Sequence, residues 1–181
     1  MTLTYTLAEN DFLQHQLFIA SKTERIKKQR VRTWLLYTAS LLFLGLIFYQ
    51  SGNIVMTYYF SIFGLIFFCF FPLYQKNYYK SHYQKFIADT YRNRIGQAGT
   101  VSLNEDSVQT SDISGESKIY LSEIENITET GDYFYIKMRI SGYLILPKYK
   151  LAEPDNVRQE LKKTCRKLSV DFIEDLNWRW K

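Results

Sequence analysis

The sequence predicts a membrane α+β protein. Its first half is a two-helix transmembrane hairpin with cytoplasmic helical extensions, and its second half a small, sharply bent antiparallel β-barrel capped by a C-terminal helix. Three observations carry this reading. No charged residue occurs between Arg32 and Lys76, and these 43 consecutive uncharged residues are too many for a core helix of a small soluble domain. The block is broken once, by Gln50-Ser51-Gly52-Asn53, residues that favour turns over helix. Past residue 98 the pattern changes to short alternating segments punctuated by Gly, Asp, Ser and Asn. The chain is therefore read as residues 1–98, holding the helices, and residues 99–181, a β domain with its helix and tail.

The first 32 residues hold a short extended piece and then a helix. Tyr5-Thr6-Leu7 reads as a strand. Thr6 or Asn10 can cap the helix, with Glu9 and Asp11 favourable in its first turn. Phe12, Ile19 and Ile26 recur every seven residues, giving one apolar stripe on an otherwise polar helix. Lys22, Arg25, Lys27, Lys28, Arg30 and Arg32 then form a solvated basic end that runs into the first span.

The spans are placed at about 33–50 and 54–75. As one helix the uncharged block would be about 65 Å long, against a hydrocarbon layer of roughly 30 Å, so a hairpin fits. Neither segment has the polar face that a soluble helical hairpin needs. Nine of the 21 residues from Ile54 to Tyr74 are Phe or Tyr, which reads as lipid-facing and inter-helix packing. Six basic residues lie within 22–32 and five follow the second span (Lys76, Lys80, Lys85, Arg92, Arg94), while the turn between the spans has none. The positive-inside rule then puts both termini in the cytoplasm, in a multi-pass membrane protein. Trp34, Tyr74, Tyr78 and Tyr79 suit the inner interface, and Tyr49, Tyr58 and Tyr59 the outer one. Residues 76–98 continue as a helix leaving the membrane, with Tyr78, Tyr79, His82, Tyr83 and Phe86 on one face.

The β domain reads as six short strands: Val101–Leu103, Val108–Ile113, Lys118–Leu121, Glu125–Thr130, Tyr133–Ile140 and Tyr143–Pro147. Phe134, Ile136, Met138 and Ile140 alternate with Tyr133, Tyr135, Lys137 and Arg139. Ser114-Gly115, Gly131-Asp132 and Ser141-Gly142 are the turns. Pro154 opens a helix at its tolerated first position. Val157, Leu161, Thr164, Cys165 and Leu168 form its buried stripe, which makes Cys165 a small core hydrophobe.

Charge and composition narrow the function classes. Residues 1–98 carry 11 Lys/Arg and 4 Asp/Glu, net +7, and residues 99–181 carry 12 and 14, net −2. The basic balance belongs to the membrane flanks, so no nucleic-acid partner is expected. An aromatic content of 17% with only 3 Pro excludes a disordered or fibrous chain. Cys69 and Cys165 have no disulfide context. His15 and His82 lie 67 positions apart without metal-ligand spacing, so no metal or cofactor is expected. The apolar run starts past residue 30, unlike a cleaved leader.

The order of parts resembles the YcxB-like family of small bacterial membrane proteins. The residues that carry the resemblance are Tyr5 and Glu9-Asn10-Asp11-Phe12, the basic stretch before two close spans, and the helix from Tyr78 to Ile95. In the domain they are Gly99-Thr100-Val101-Ser102-Leu103, Tyr120-Leu121-Ser122-Glu123-Ile124 and Tyr143-Leu144-Ile145-Leu146-Pro147-Lys148. The resemblance covers nearly the whole chain. It implies a bacterial pleckstrin-homology-like (PH-like) domain, a seven-stranded bent barrel with a C-terminal helix, and no catalytic residues.

No P-loop, Rossmann glycine pattern, G-x-S-x-G or H-E-x-x-H occurs, and no enzyme is expected. Ser114-Gly115-Glu116-Ser117 lacks the context of a nucleophile elbow. Glu123, Glu125 and Glu129 read as a solvated rim, and Lys162, Lys163, Arg166 and Lys167 as the polar face of the last helix. The expected role is that of a non-enzymatic integral membrane protein presenting its PH-like domain to a protein partner, a toxin or a membrane-complex subunit. An immunity protein would fit this role, and homo-oligomers are compatible with it. The alternative is a lipid- or small-molecule-binding membrane protein or a stress-signalling adaptor. Trp178, Arg179 and Trp180 are the partner-binding candidates. Three readings of that tail stand: packing back on its own domain, meeting the membrane interface, or docking a partner.

Overall fold

The computed structural model describes residues 1–113, 115–140 and 142–181. The expected turns at Ser114-Gly115 and Ser141-Gly142 involve Ser114 and Ser141, which lie outside the described residues. The chain divides into two compact units, Met1–His15 with Phe86–Arg179, and Gln16–Lys85 with Trp180–Lys181. The sequence reading grouped residues 1–15 and 86–98 with the helices, whereas here they cluster with the sheets. The cause is the N-terminal strand, which pairs with a strand almost a hundred residues later.

The sheet unit begins with β1 (Thr2–Thr6), followed by the start of helix α1 (Glu9–Lys22). After the helices come β2 (Ala98–Leu103), β3 (Ser107–Asp112) and β4 (Gly115–Tyr120). These form a four-stranded antiparallel sheet in the order β1-β2-β3-β4, with Leu3 opposite Val101 and Tyr5 opposite Gly99. A 3-10 turn, Leu121–Glu123, interrupts the ladder and hands the chain to a second sheet. This contains β5 (Ile124–Thr130), β6 (Tyr133–Met138) and β7 (Gly142–Pro147). Helix α4 (Pro154–Leu168) then returns the chain as β8 (Asp171–Asp175), parallel to β5, giving the order β7-β6-β5-β8.

The expected barrel is thus two four-stranded sheets, and β8 is a strand the sequence reading left in the tail. The antiparallel pattern breaks at β8 because a helical crossover allows parallel return. Tyr133–Ile140 is shorter than expected: β6 stops at Met138, and Ile140 is 85% exposed at the strand end. Both sheets and α4 share one core. Val101, Val108, Ile127, Phe134, Ile136 and Leu146 pack with Val157, Leu161 and Cys165 of α4. The Tyr5 hydroxyl donates to the Ile145 carbonyl at 2.8 Å, tying β1 to β7.

In the helical unit the basic stretch is not one helix. α1 stops at Lys22, Thr23 is extended (φ −78°, ψ 112°), and α2 runs over Glu24–Gln50. Ser51-Gly52-Asn53 makes the hairpin turn, with Gly52 at φ 75°, a conformation that favours glycine. The Asn53 side chain accepts from the Met56 N–H at 3.1 Å, capping α3 (Ile54–Thr90) in the usual way. At 1.5 Å per residue α2 is about 40 Å long and α3 about 55 Å, more than a roughly 30 Å hydrocarbon layer requires.

Both helices are long and apolar enough to cross a membrane. A core helix of a soluble protein would be mostly buried, whereas only 11% and 6% of their apolar windows are. They run antiparallel: Trp34 stacks on Phe68 at 4.6 Å and Phe48 on Phe60 at 5.3 Å. Small residues let the backbones approach. A Cβ on Gly45 would stand 3.2 Å from Ser61 Oγ, and one on Gly64 would stand 3.1 Å from Leu42 Cδ2, the close contact small residues permit between membrane helices.

Candidate functional site

Chemistry in the sheet unit gathers on one carboxylate. Asp11 occupies the third position of α1 and is fully buried. Oδ2 accepts the Ala8 N–H at 2.7 Å, the return half of a capping box. So the first turn is capped from within by Asp11, and not by Thr6 or Asn10. Oδ1 accepts the hydroxyls of Tyr133 at 2.9 Å and of Tyr149 at 2.5 Å, and Lys150 Nζ donates to Oδ2 at 2.9 Å and to the Thr6 carbonyl at 2.7 Å. Burial alone would raise the Asp11 pKa, but the bonds from Tyr149, Lys150, Ala8 and Tyr133 outweigh it and hold the carboxyl below its usual range. Burial, then the Asp11 hydroxyl contact, pushes Tyr149 up to about 12.

A carboxylate with two oxygens and four donors has no lone pair left to take a substrate proton. The arrangement ties α1, β6 and the segment after β7 together. Sequence reasoning saw Asp11 only as a first-turn acid. Apart from Ala8, its partners lie more than 120 positions away, and no local spacing signals them.

His15 lies one turn further along α1, 8% exposed, and its Nε2 makes no hydrogen bond. Its ring packs 5.6 Å from Tyr135 and 5.1 Å from Tyr143. Burial lowers its pKa to about 4, so the imidazole is neutral at pH 7. Because the folded pKa lies below the unfolded value of 6.5, the unfolded chain takes the proton first as pH falls. Stability is then lost between pH 6.5 and about 4, by about 2 kcal/mol at pH 5. The thermal midpoint of the wild type should therefore fall further between pH 7 and pH 5 than that of His15→Phe. Parallel behaviour of the two proteins in calorimetry would refute a buried neutral imidazole.

A second buried acid corrects the solvated-rim reading. Glu129 on β5 is 3% exposed, with Lys148 at 2.7 Å and Arg158 Nε at 2.8 Å. Arg158 and Lys162 also meet Glu174 of β8, at 3.3 and 2.6 Å. Part of the polar face of α4 is therefore committed to β8. Glu125, by contrast, is exposed and pairs with Lys137. Among the described residues no group of three His, Cys, Asp or Glu could hold a metal ion.

The helical unit has its own cluster. Pro72 lies inside α3 and has no N–H for the Phe68 carbonyl. The Trp34 indole N–H donates to that carbonyl at 3.0 Å. Near the charged end, Gln75 Nε2 donates to the Arg30 carbonyl at 3.1 Å. The Arg30 guanidinium lies 4.8 Å from the Trp180 ring and 5.6 Å from Tyr79, and its Nη2 donates to the Lys181 backbone oxygen at 2.9 Å. Trp180 Nε1 donates to the Lys76 carbonyl at 3.0 Å.

The tail candidates therefore separate. Trp180 is 8% exposed and belongs with the helices, Trp178 is half-buried in the sheet unit, and Arg179 is exposed.

Residues 103–161 match the family model described as YcxB-like protein. The matched segment runs from the end of β2 into α4. It includes Glu129, Tyr133, Tyr149 and Lys150 but neither Asp11 nor the two apolar helices, and so is narrower than the resemblance read from the sequence. No curated protein and no solved structure matches the chain.

Proposed function

We propose that this is a non-enzymatic integral membrane protein that presents a PH-like sheet unit to a protein partner in the cytoplasm. Its hairpin lies in the bacterial inner membrane with both termini inside. Holding a toxin, as an immunity protein does, is one role of this kind; docking a subunit of a membrane complex is another. The observation that carries the reading is the free edge of the first sheet. Among the described residues β4 pairs with β3 alone, and five of its six residues are exposed, with Tyr120 at 63%. An open edge offers unpaired backbone donors and acceptors to an added strand. The buried acids support the same reading, since each is consumed by cations or hydroxyls of its own fold.

In-membrane photo-crosslinking tests this. A photoreactive residue in place of Tyr120 is expected to give one discrete adduct, while the same residue in place of Ser51 gives none from the cytoplasm. An adduct of twice the chain mass would identify the partner as a second copy. Impermeant thiol labelling of Ser51→Cys but not of Ser107→Cys in intact cells is expected for the topology. Labelling of Ser107→Cys alone would overturn it.

A further inference from the structure

The charged end of the hairpin carries a groove that the docking reading does not use. It lies within the helical unit and is lined by Lys27, Arg30, Val31 and Trp34 from α2, and by Pro72, Leu73, Gln75 and Lys76 from α3, closed off by Lys181. One half is cationic and the other apolar. No Asp or Glu lines it. Lys27 is shared with Glu24 at 2.8 Å, while Lys76 has no ion pair among the described residues. The most constrained cation is Arg30. Its Nη2 is engaged by Lys181 and its face by Trp180 and Tyr79, which fix the guanidinium plane. Its Nε is buried and has no hydrogen-bond partner. A buried donor left unmade is costly, more so when charged, so an acceptor brought within its reach would gain a strong bond. Beside it Trp34, Leu73, Pro72 and Val31 begin the uncharged block.

We infer that this groove binds the phosphate of an anionic phospholipid. Arg30 Nε and the Lys27 and Lys76 ammoniums take the phosphate oxygens, while Trp34, Pro72 and Leu73 cover the glycerol and upper acyl chain. A guanidinium donor suits a phosphate oxygen, and an aromatic beside basic residues suits the water–hydrocarbon boundary. Zwitterionic lipids carry the same phosphate, but their choline would meet three cations, so net-anionic headgroups are selected. The inference rests on the hairpin lying in a bilayer and not on any protein partner.

The test uses the full-length protein reconstituted with phosphatidylglycerol and phosphatidylcholine, then released for native mass spectrometry. Retained phosphatidylglycerol in excess of phosphatidylcholine is expected. Lys76→Gln and Lys27→Gln should each weaken that retention about fivefold, the effect of one cation near a lipid surface. Arg30→Gln should abolish the preference, and because Arg30 also packs on Trp180, its folding is checked by near-UV circular dichroism. Lys80→Gln and Lys85→Gln, cations outside the groove, should change nothing. Inorganic phosphate should fail to displace the lipid; displacement would mean the site takes free phosphate and would overturn the lipid assignment. Equal losses in groove and control variants, or equal retention of both lipids, would show diffuse attraction and overturn the site. Failure of the wild type to float with pure phosphatidylcholine vesicles would instead overturn the membrane placement, and the inference with it.

Discussion

Replacing Asp11 by alanine is expected to cost about 3–5 kcal/mol, the usual penalty for removing one partner of a buried charge pair. At roughly 4–8 °C per kcal/mol for a unit of about a hundred residues, the thermal midpoint should fall by more than about 10 °C. The substitution removes the acceptor of Lys150, Tyr133, Tyr149 and the Ala8 N–H together. Asp11→Asn keeps the shape and one oxygen but leaves the Lys150 charge uncompensated, so it should fall between wild type and alanine. Near-UV circular dichroism of the purified full-length protein reads the loss directly, because two of the partners are tyrosines. Asp11 has a lowered folded pKa, so its stabilisation is complete above the unfolded carboxylate value. It fades only as pH drops through the folded one, below the window in which His15 acts. A midpoint within a degree or two of wild type for Asp11→Ala would show that the buried cluster does not hold the first helix to the sheet.

The second large effect is expected at Glu129. Glu129→Ala leaves Lys148 and Arg158 facing each other without their shared carboxylate, and a loss of about 3–5 kcal/mol is again expected. Here a compensating change is available. Lys148 lies 4.8 Å over the Phe134 ring, so Lys148→Met can keep that packing without the charge. Glu129→Ala with Lys148→Met should recover part of the loss, a coupling that a double-mutant cycle measures by chemical denaturation. Strict additivity of the two substitutions would mean that the ion pair contributes nothing as a pair.

The features legible in the sequence are those with a local signature. The apolar block, the Gly52 turn, the amphipathic α4 with Cys165 inside, and the alternation of β6 all depend on residues a few positions apart. What was missed depends on distant residues. β1 finds β2 across the whole hairpin. β8 adds to β5 in parallel only because α4 carries it there, and Asp171-Phe172-Ile173-Glu174-Asp175 by itself reads as polar tail. Glu129 resembles any solvated acid until Lys148 and Arg158 converge on it. Trp180 was recognised as costly to expose, but sequence could not choose which surface would cover it. The sequence ends one strand at Leu121 and begins the next at Glu125, and the 3-10 turn Leu121–Glu123 fills that gap, but the split into two four-stranded sheets has no local signature.

The hydrogen bond from Trp34 to the Phe68 carbonyl makes two residues in different helices answerable to each other over evolutionary time. With the hairpin in a bilayer, as proposed, little water reaches the carbonyl that Pro72 leaves behind. Trp34→Phe alone therefore strands a polar group, whereas after Pro72→Ala restores a donor within α3 the same change removes a bond the carbonyl no longer needs. The order in which the two substitutions arrive decides whether the intermediate is tolerated. A lineage can lose the proline first and the indole second, but the reverse path passes through a damaged hairpin. Stability of the four proteins in lipid bicelles would display this as background-dependent epistasis, with Trp34→Phe harmful beside Pro72 and close to neutral beside alanine.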